Sequence, residues 1–309
     1  MKILIGYDGS PASESALDDL KKMGLPTNGE ALLVTIAEIW LPPPEASVEE
    51  AGNSAYLEEI LTRYREKGER LLNEAQTMAK YAVTRVRKSL PGWTVRKRVT
   101  YGSPGWELLT AADEFKPEII VVGSHGHSVL NRVLLGSISQ KIMTEAHCTV
   151  RIARKKNGDG SNPLRLMIGF DGSAGANAAV DTVAKRTWPT GTEVQLVAAT
   201  ASVVPTAIGR FIQPVTDWIE DEHKAEHDWI ESLANKASRS LTSAGLNVTT
   251  LLCIGNPNHV LVTEAEKWAA DCIFVGANAF GSRLERYLLG STSSAVATRA
   301  HCSVEVVRK

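Results

Sequence analysis

The chain has 309 residues, of which 43% are hydrophobic, and its 34 lysines and arginines nearly balance 35 aspartates and glutamates, for a formal net charge of -1. At roughly 150 residues per domain, this length predicts two domains, each large enough to bury its own core. A net charge near zero excludes the broad positive field that attracts nucleic acid or anionic lipid, so we expect neither as a partner.

Short apolar runs and scattered cysteines bear on the cellular compartment. The apolar runs span only four or five residues, such as Ile119 to Val122, so we expect no signal peptide and no membrane span. The four cysteines, at positions 148, 253, 272 and 302, are too few for a disulfide framework and lack the spacing of a zinc site. The sequence therefore predicts a protein of the reducing cytoplasm.

Short apolar and β-branched runs alternate with longer helical patterns along the first half of the chain. We predict strands near residues 2–7, 31–37, 94–100, 118–123 and 148–153, and helices over residues 13–23, 56–89, 105–115 and 137–146. Near-continuous apolar strands that alternate with helices are typical of a parallel sheet covered on both faces. The first half is therefore predicted to be a doubly wound α/β domain of five strands.

The second half of the chain repeats the first. Residues 4–10 (LIGYDGS) recur as residues 167–173 (MIGFDGS), and residues 146–150 (AHCTV) recur as residues 300–304 (AHCSV). Two copies of one domain explain these echoes better than chance does. We therefore predict a first domain over residues 1–154, a polar, glycine-rich linker over residues 155–163 and a second domain over residues 164–309.

A glycine pattern follows the predicted fourth strand of the first copy. Gly123 and Gly126 are three residues apart, and nine residues separate Gly126 from Gly136, which opens the last helix with Ser137. Glycines let the backbone approach an anion closely, and a helix N-terminus favours phosphate. In open parallel sheets, ligands bind at the carboxyl ends of the strands. These glycines could instead only form tight turns, but the full spacing in this context favours a polyphosphate cradle.

The glycine pattern resembles that of the universal stress protein family, whose ATP-binding members carry G-x2-G-x9-G-[ST] after the fourth strand. The first copy matches this pattern without a gap. The family also has an aspartate that closes the first strand, as Asp8 does, and a last strand preceded by a sequence like Ala-His-Cys-Thr-Val. Because the resemblance spans both copies, the chain is similar to a tandem universal stress protein with two Rossmann-like domains.

The resemblance implies a site for ATP in the first copy, with Mg²⁺ as its candidate metal ion. Asp8 would lie beside the ribose and adenine, preceded in the same strand by Gly6, and Ile36 would help to hold the base. Asp8 followed by Gly-Ser is also a common turn and helix cap, and shape alone does not choose between the two interpretations. The phosphates would lie against the glycine loop and the start of the last helix, which contribute Gly123, Ser124, His125, Gly126, Gly136, Ser137, Ile138 and Ser139.

The second copy departs from the glycine pattern. The place of the second glycine is taken by Ala279 or Phe280, depending on the alignment, although Gly281 could supply a rearranged turn. Either side chain puts a Cβ atom where the backbone should approach phosphate. We therefore predict that the first copy binds ATP more tightly than the second. The candidate residues of the second copy are Asp171, Gly276, Gly290, Ser291 and Ser293.

Three functions fit this sequence. The first is an ATP-binding regulatory stress protein, whose bound nucleotide changes the surface shown to a protein partner. The second is a slow ATPase or autophosphorylating enzyme. Against it, the chain lacks a Walker lysine and a kinase HRD motif, and the spacing of His125 and His127 does not indicate a metal site.

The third function is a nucleotide-independent dimeric scaffold. The last strand of each copy is predicted at a sheet edge, and family members use this edge to dimerise. We therefore expect the two copies to pair there around a pseudo-twofold axis, and the sequence leaves open whether whole chains form a homodimer.

Overall fold

The computed structural model describes residues 1–39, 55–125, 135–155, 163–200, 213–277 and 289–308. Side chains are described in all of these ranges except at residues 55–58, 213–224, 226 and 227. Several residues of the sequence predictions lie outside the described part of the chain, namely Gly126, His127, Ala279, Phe280, Gly281 and linker residues 156–162.

The first copy contains all nine predicted elements, with ends that differ by a few residues. Its strands are β1 (Lys2–Gly6), β2 (Gly29–Ala37), β3 (Trp93–Tyr101), β4 (Ile119–Gly123) and β5 (Thr149–Ala153). Its helices are α1 (Pro11–Asp19), which a short 3-10 turn (Leu20–Lys22) extends, α2 (Ala55–Ser89), α3 (Pro104–Phe115) and α4 (Ser137–Glu145). Helix α1 begins earlier than predicted because Ser10 caps it and Pro11 fits its first turn.

The second copy repeats the order of strands and helices. Its strands are β6 (Arg165–Gly169), β7 (Glu193–Thr200), β8 (Asn247–Ile254), β9 (Cys272–Gly276) and β10 (Ser303–Val307). Its helices are α5 (Ala174–Lys185), α6 (Gln213–Ser243), α7 (Pro257–Lys267) and α8 (Ser291–Arg299). The predicted fold class, two repeated α/β units, is confirmed.

All ten strands form one sheet, in the order β3-β2-β1-β4-β5-β10-β9-β6-β7-β8. Neighbouring strands within each copy run parallel. Residues 3–5 of β1 are fully buried, as expected for a strand covered on both faces. The strand order reverses between β1 and β4, and between β6 and β9, so each copy has a crevice at the carboxyl ends of these strands.

The two copies share one hydrophobic core. On one face of the sheet, a continuous buried cluster extends from Leu108 and Ile142 in the first copy to Leu261 and Val296 in the second. The opposite face carries a separate buried cluster for each copy, under α1 and α2 and under α5 and α6. The shared core packs the two copies together as one body. Among the described helices, none has the length and apolar character needed to cross a membrane.

The last strands of the two copies join the halves of the sheet. Strand β5 runs antiparallel to β10, with Arg151 opposite Glu305 and with Val150 and Ile152 opposite Val306 and Val304. The pair of Arg151 and Glu305 is therefore central and lies on the pseudo-twofold axis that relates the copies. The pairing expected for the last strands is present, whereas a homodimer of whole chains stays a prediction.

Candidate functional site

In the first copy, the loops that leave β1 and β4 lie side by side at the switch point of the sheet. Gly6 ends β1, which pairs directly with β4, and Gly123 ends β4. The backbone N–H of Gly136 donates to the carbonyl oxygen of Ser124 at 2.8 Å. This bond holds the start of α4 against the end of β4, so the structure brings Gly123, Ser124 and Gly136 together.

Helix α4 presents an N-terminus without a side-chain cap. Gly136 occupies the N-cap position and makes no side-chain hydrogen bond to the first turn. Ser137 is exposed at the first helical position, and Ile138 is partly buried against the shared core. Because the first amides of a helix lack intrahelical partners, this terminus is suited to an anion.

Ser139 makes a structural hydrogen bond, and its contact with phosphate stays a prediction. Its side chain is buried, and its hydroxyl donates to the carbonyl oxygen of Gly123 at 2.6 Å. The second copy repeats this arrangement, since the hydroxyl of Ser293 donates to the carbonyl oxygen of Gly276 at 2.5 Å. In both copies the serine fastens the last helix to the end of the neighbouring strand.

Asp8 forms the turn that the sequence allowed as an alternative to ligand binding. Its Oδ1 accepts a hydrogen bond from the backbone N–H of Ser10 at 2.9 Å, and Gly9 between them has a φ of +76°. Ser10 then caps α1 by accepting from the backbone N–H of Ser13 at 3.2 Å. Asp171 makes the same turn in the second copy. The carboxylate is therefore held in a fixed place at the mouth of the crevice.

Tyr7 stabilises the loop between β1 and α1. Its buried hydroxyl donates to Glu14 of α1, and Arg85 of α2 contacts Glu14 at 3.0 Å. Burial and the hydrogen bond to Glu14 raise the pKa of Tyr7 well above its ordinary value. Since the tyrosine stays neutral, it acts here as a hydrogen-bond donor that ties β1 to two helices.

Gly123 and Gly276 have a packing role that the sequence interpretation missed. An ideal Cβ atom on Gly123 would lie 2.5 Å from the carbonyl carbon of Ala12 in α1. On Gly276 it would lie 2.3 Å from the carbonyl carbon of Gly175 in α5. Only glycine lets the first helix of each copy approach the end of the neighbouring strand so closely. This packing reason stands beside the proposed approach of an anion.

Two further predicted residues lie near the carboxyl ends of β2 and β4 in the first copy. Ile36 is partly buried near the end of β2 and packs against the shared core. His125 follows the buried Ser124, and its Nδ1 is itself buried without a hydrogen-bond partner among the described residues. Because buried polar atoms nearly always have a partner, we expect this nitrogen to have one outside the described residues.

In the second copy, a cavity of about 400 Å³ lies at the switch point. This volume is within the range of ligand sites, about 300–1,000 Å³. The structure places all five candidate residues of the second copy in its wall, namely Asp171, Gly276, Gly290, Ser291 and Ser293. The wall also contains the counterparts of Gly6, Ile36 and Ile138, which are Gly169, Ala199 and Thr292.

The same cavity includes residues that the sequence analysis did not select. Phe170, Val197 and Leu261 supply apolar surface, and Pro257 closes one side from the start of α7. Phe170 precedes Asp171 in the recurring segment, so the repeat itself carried a signal for this position. The cavity thus combines an apolar wall with hydroxyl groups and one carboxylate, a composition suited to an aromatic base joined to polar groups.

Comparison with known proteins identifies the family. The model of the universal stress protein family matches residues 1–154 and 164–308. A universal stress protein of Mycobacterium tuberculosis is 25% identical over 313 residues, which cover 99% of this chain and 97% of that protein. One from Thermus aquaticus is 32% identical over 152 residues, which cover 49% of this chain and 97% of that protein.

A solved structure has the same fold over the whole chain. The crystal structure of a universal stress protein from Archaeoglobus fulgidus matches with a TM-score of 0.61 and 20% sequence identity, covering 100% of this chain and 96% of that one. Both halves therefore have the architecture that the family model indicates. The chain belongs to the universal stress protein family and carries two of its domains in tandem.

Proposed function

We propose that this protein binds ATP at the switch point of its first copy and that bound nucleotide regulates its interaction with a protein partner. The main support is that eight positions selected by the glycine pattern, the repeat and the resemblance to the family lie, through their counterparts in the second copy, around one cavity. These counterparts are Gly169, Asp171, Ala199, Gly276, Gly290, Ser291, Thr292 and Ser293. Membership of the universal stress protein family supports a role in the stress response.

The residues of the first copy fit the parts of a nucleotide. The uncapped N-terminus of α4 at Gly136 and Ser137 offers backbone amides to phosphate oxygens, with Mg²⁺ as the candidate counter-ion. The side chain of His125, whose Nδ1 has no hydrogen-bond partner among the described residues, follows β4 and could share this task. Asp8, fixed by its bond to Ser10, is suited to accept hydrogen bonds from ribose hydroxyls. Ile36 supplies apolar contact for the base.

The cavity of the second copy belongs to the same proposal. It retains the carboxylate of Asp171 and the helix start at Gly290 and Ser291, so it keeps the features proposed for ribose and phosphate. It lacks the second glycine of the pattern, the position that Gly126 holds in the first copy. We therefore propose two sites of unequal affinity, with the tighter one in the first copy.

Regulation through such a site requires that ATP bind one conformation better than another. The ligand would contact the first turn of α1 and the N-terminus of α4, where Pro11 and Ser137 are exposed at the surface of the protein. A partner that recognises this surface would then bind the nucleotide-loaded and nucleotide-free forms differently. This is a binding function, and it requires no chemistry on the phosphates.

Calorimetric titration of ATP into the full chain and two matched variants tests this proposal. Gly126→Val places a branched side chain in the first-copy loop, and Ala279→Val alters the corresponding loop of the second copy. We expect Gly126→Val to remove the tighter binding and Ala279→Val to leave it unchanged, with unaltered circular dichroism. Tight binding that survives Gly126→Val, or two sites of equal affinity in the wild type, would contradict the assignment.

Phosphate release and label incorporation from ATP separate binding from catalysis. The regulatory proposal predicts neither reaction above the rate seen without protein. Turnover that is abolished by Asp8→Ala would instead establish the enzyme. If the full chain binds no ATP and yet keeps its fold, the nucleotide-independent scaffold is the correct function.

A further inference from the structure

Three buried charged residues and one partly buried one form a chain of ion pairs across the boundary between the two copies. The Nη1 of Arg151 lies 3.1 Å from Oε2 of Glu305, and both side chains are fully buried. Within the first copy, Arg151 also donates to Asp19 through Nε at 2.8 Å and through Nη2 at 3.3 Å. Within the second copy, Glu305 accepts two bonds from Arg186. We call Asp19, Arg151, Glu305 and Arg186 the axis quartet.

The charges of the axis quartet alternate in sign and support one another. Burial alone would raise the pKa of Glu305, but Arg186 and Arg151 outweigh it and lower the pKa below its ordinary value. Burial likewise opposes the charge of Arg151, but Asp19 and Glu305 raise its pKa well above the ordinary value. Both groups are therefore ionised. Such buried ion pairs contribute little net stability relative to apolar side chains. Net stability therefore does not explain why the axis quartet is charged.

Two arginine contacts across the boundary are the same in both directions. The Nη2 of Arg154 donates to the carbonyl oxygen of Ala297 at the end of α8, and the Nη2 of Arg308 donates to that of Met143 at the end of α4, both at 2.6 Å. Each arginine thus caps the last helix of the other copy. Because both copies supply the same groups at the same positions, these contacts would also form between two first copies. They do not discriminate between partners.

The axis quartet does discriminate between partner strands. If the β5 strands of two chains paired, Arg151 would face a second Arg151 at a fully buried position, and each would retain only its own Asp19. If two β10 strands paired, Glu305 would face Glu305. The attraction across the axis would become repulsion between like charges, which costs most where water is excluded.

Phe274 adds to this asymmetry. Its ring centre lies 5.8 Å from the guanidinium carbon of Arg151 and 5.7 Å from that of Arg186. The ring belongs to β9 of the second copy, and the corresponding residue of the first copy is Val121. Two paired first copies would therefore lose both the carboxylate and the aromatic face that Arg151 contacts in the native pair.

We propose that the axis quartet selects the partner of each last strand. The β5 edge accepts a β10 edge, from the same chain or from a second one, and it rejects another β5 edge. The kind of partner that fits β5 is thus a domain of this family whose last strand carries a carboxylate at the position of Glu305. This specificity is independent of nucleotide binding.

Co-expression of two full-length variants with different affinity tags tests the proposal. Glu305→Arg and Arg151→Glu each put like charges across the boundary of their own chain. In a mixed pair, Arg151 of the first variant meets Glu305 of the second, and one complete axis quartet re-forms between the chains. We expect the two variants to co-purify in a 1:1 ratio. Two differently tagged chains of the same variant should not co-purify through this edge.

The control reverses a salt bridge that lies far from the axis. Arg96 and Glu30 form an exposed pair within the first copy, and Arg96→Glu co-expressed with Glu30→Arg should co-purify only to the extent that two differently tagged wild-type chains do. If a variant of the axis quartet is insoluble alone, recovery of a soluble 1:1 complex on co-expression is the expected result. Co-purification of Glu305→Arg with itself beyond the level of two differently tagged wild-type chains, or failure of the complementary variants to form a soluble complex, would overturn the proposal.

Discussion

Removal of the Arg151 side chain should have the largest effect on stability of any single charge substitution at the boundary between the copies. In Arg151→Met, the buried Asp19 loses its two bonds from this guanidinium, and Glu305 keeps only Arg186. Breaking a buried ion pair by removing one partner costs about 3–5 kcal/mol, because a charge remains buried without compensation. We therefore expect the free energy of unfolding to fall by about 3–5 kcal/mol.

A second variant separates the stranded charge from the loss of packing. In the double variant Arg151→Met, Asp19→Asn, the carboxylate that loses its guanidinium partner becomes a neutral amide of similar size, and Glu305 keeps its bonds from Arg186. Since an uncompensated buried charge costs more than a neutral polar group, this variant should regain at least about 2 kcal/mol relative to Arg151→Met. Urea unfolding followed by circular dichroism and by tryptophan fluorescence measures both differences.

An exposed ion pair provides the control for this comparison of variants. Arg63 and Glu59 lie one helical turn apart on α2, with 75% and 59% of their side chains exposed. Because exposed pairs contribute about 0–1 kcal/mol, Arg63→Met should stay close to wild type. The reasoning is refuted if Arg151→Met costs less than about 1 kcal/mol, or if the double variant is no more stable than the single one.

Three further predictions concern packing, thiol chemistry and acid stability. Gly123→Ala should lose about 1–3 kcal/mol of stability in urea unfolding because its Cβ atom overlaps the backbone of Ala12, whereas Ser137→Ala at an exposed position should change it by less than about 0.5 kcal/mol. Burial raises the pKa of Cys148 from 9.0 to about 11, so alkylation at pH 8 should be about 100-fold slower than in urea-unfolded protein, as read by mass spectrometry. The stability that the neutral thiol contributes is present below pH 9.0 and is lost as the pH rises through about 11. The pKa of Glu305 is lowered, so its contribution is present above its ordinary value of 4.5 and is lost as the pH falls through the lowered pKa. Glu305→Gln should therefore flatten the acid side of the curve of stability against pH, and an unchanged acid side would contradict this assignment.

The order of elements could be predicted from the sequence because each strand is a short apolar run bounded by turn residues. Strand β4, with four buried residues before Gly123, is such a run, and β9 repeats it before Gly276. The recurrence of these segments also indicated that the second half has the fold of the first. Helix ends were less certain, since the start of α1 depends on the hydroxyl of Ser10 and its bond to Ser13.

The roles of individual residues at the crevice were only partly predictable. A glycine pattern shows where a side chain is absent, but it does not say what occupies the space. The nearest atoms to the missing Cβ of Gly123 belong to α1, and only the packed structure shows this. Similarly, nothing in the sequence shows that the hydroxyl of Ser139 points to a backbone carbonyl.

The sequence of the last strand in each copy indicates part of the axis quartet. Strands β5 (TVRIA) and β10 (SVEVV) each carry one charged residue among apolar neighbours, at equivalent positions and with opposite signs. A charge in a strand that is buried on both faces demands a partner. The two remaining members, Asp19 and Arg186, have counterparts of another chemical type, Thr182 and Met23, so the repeat gave no reason to connect them.

Equilibrium dialysis of the purified full chain against radiolabelled ATP, up to millimolar concentration, tests the central claim most directly. The account predicts saturable binding, with one tighter site per chain and a weaker second one. An apparent stoichiometry of two with equal affinities would contradict the difference between the copies. Absence of any bound ATP at millimolar concentration, from a chain that is folded by circular dichroism, would contradict the proposed function itself.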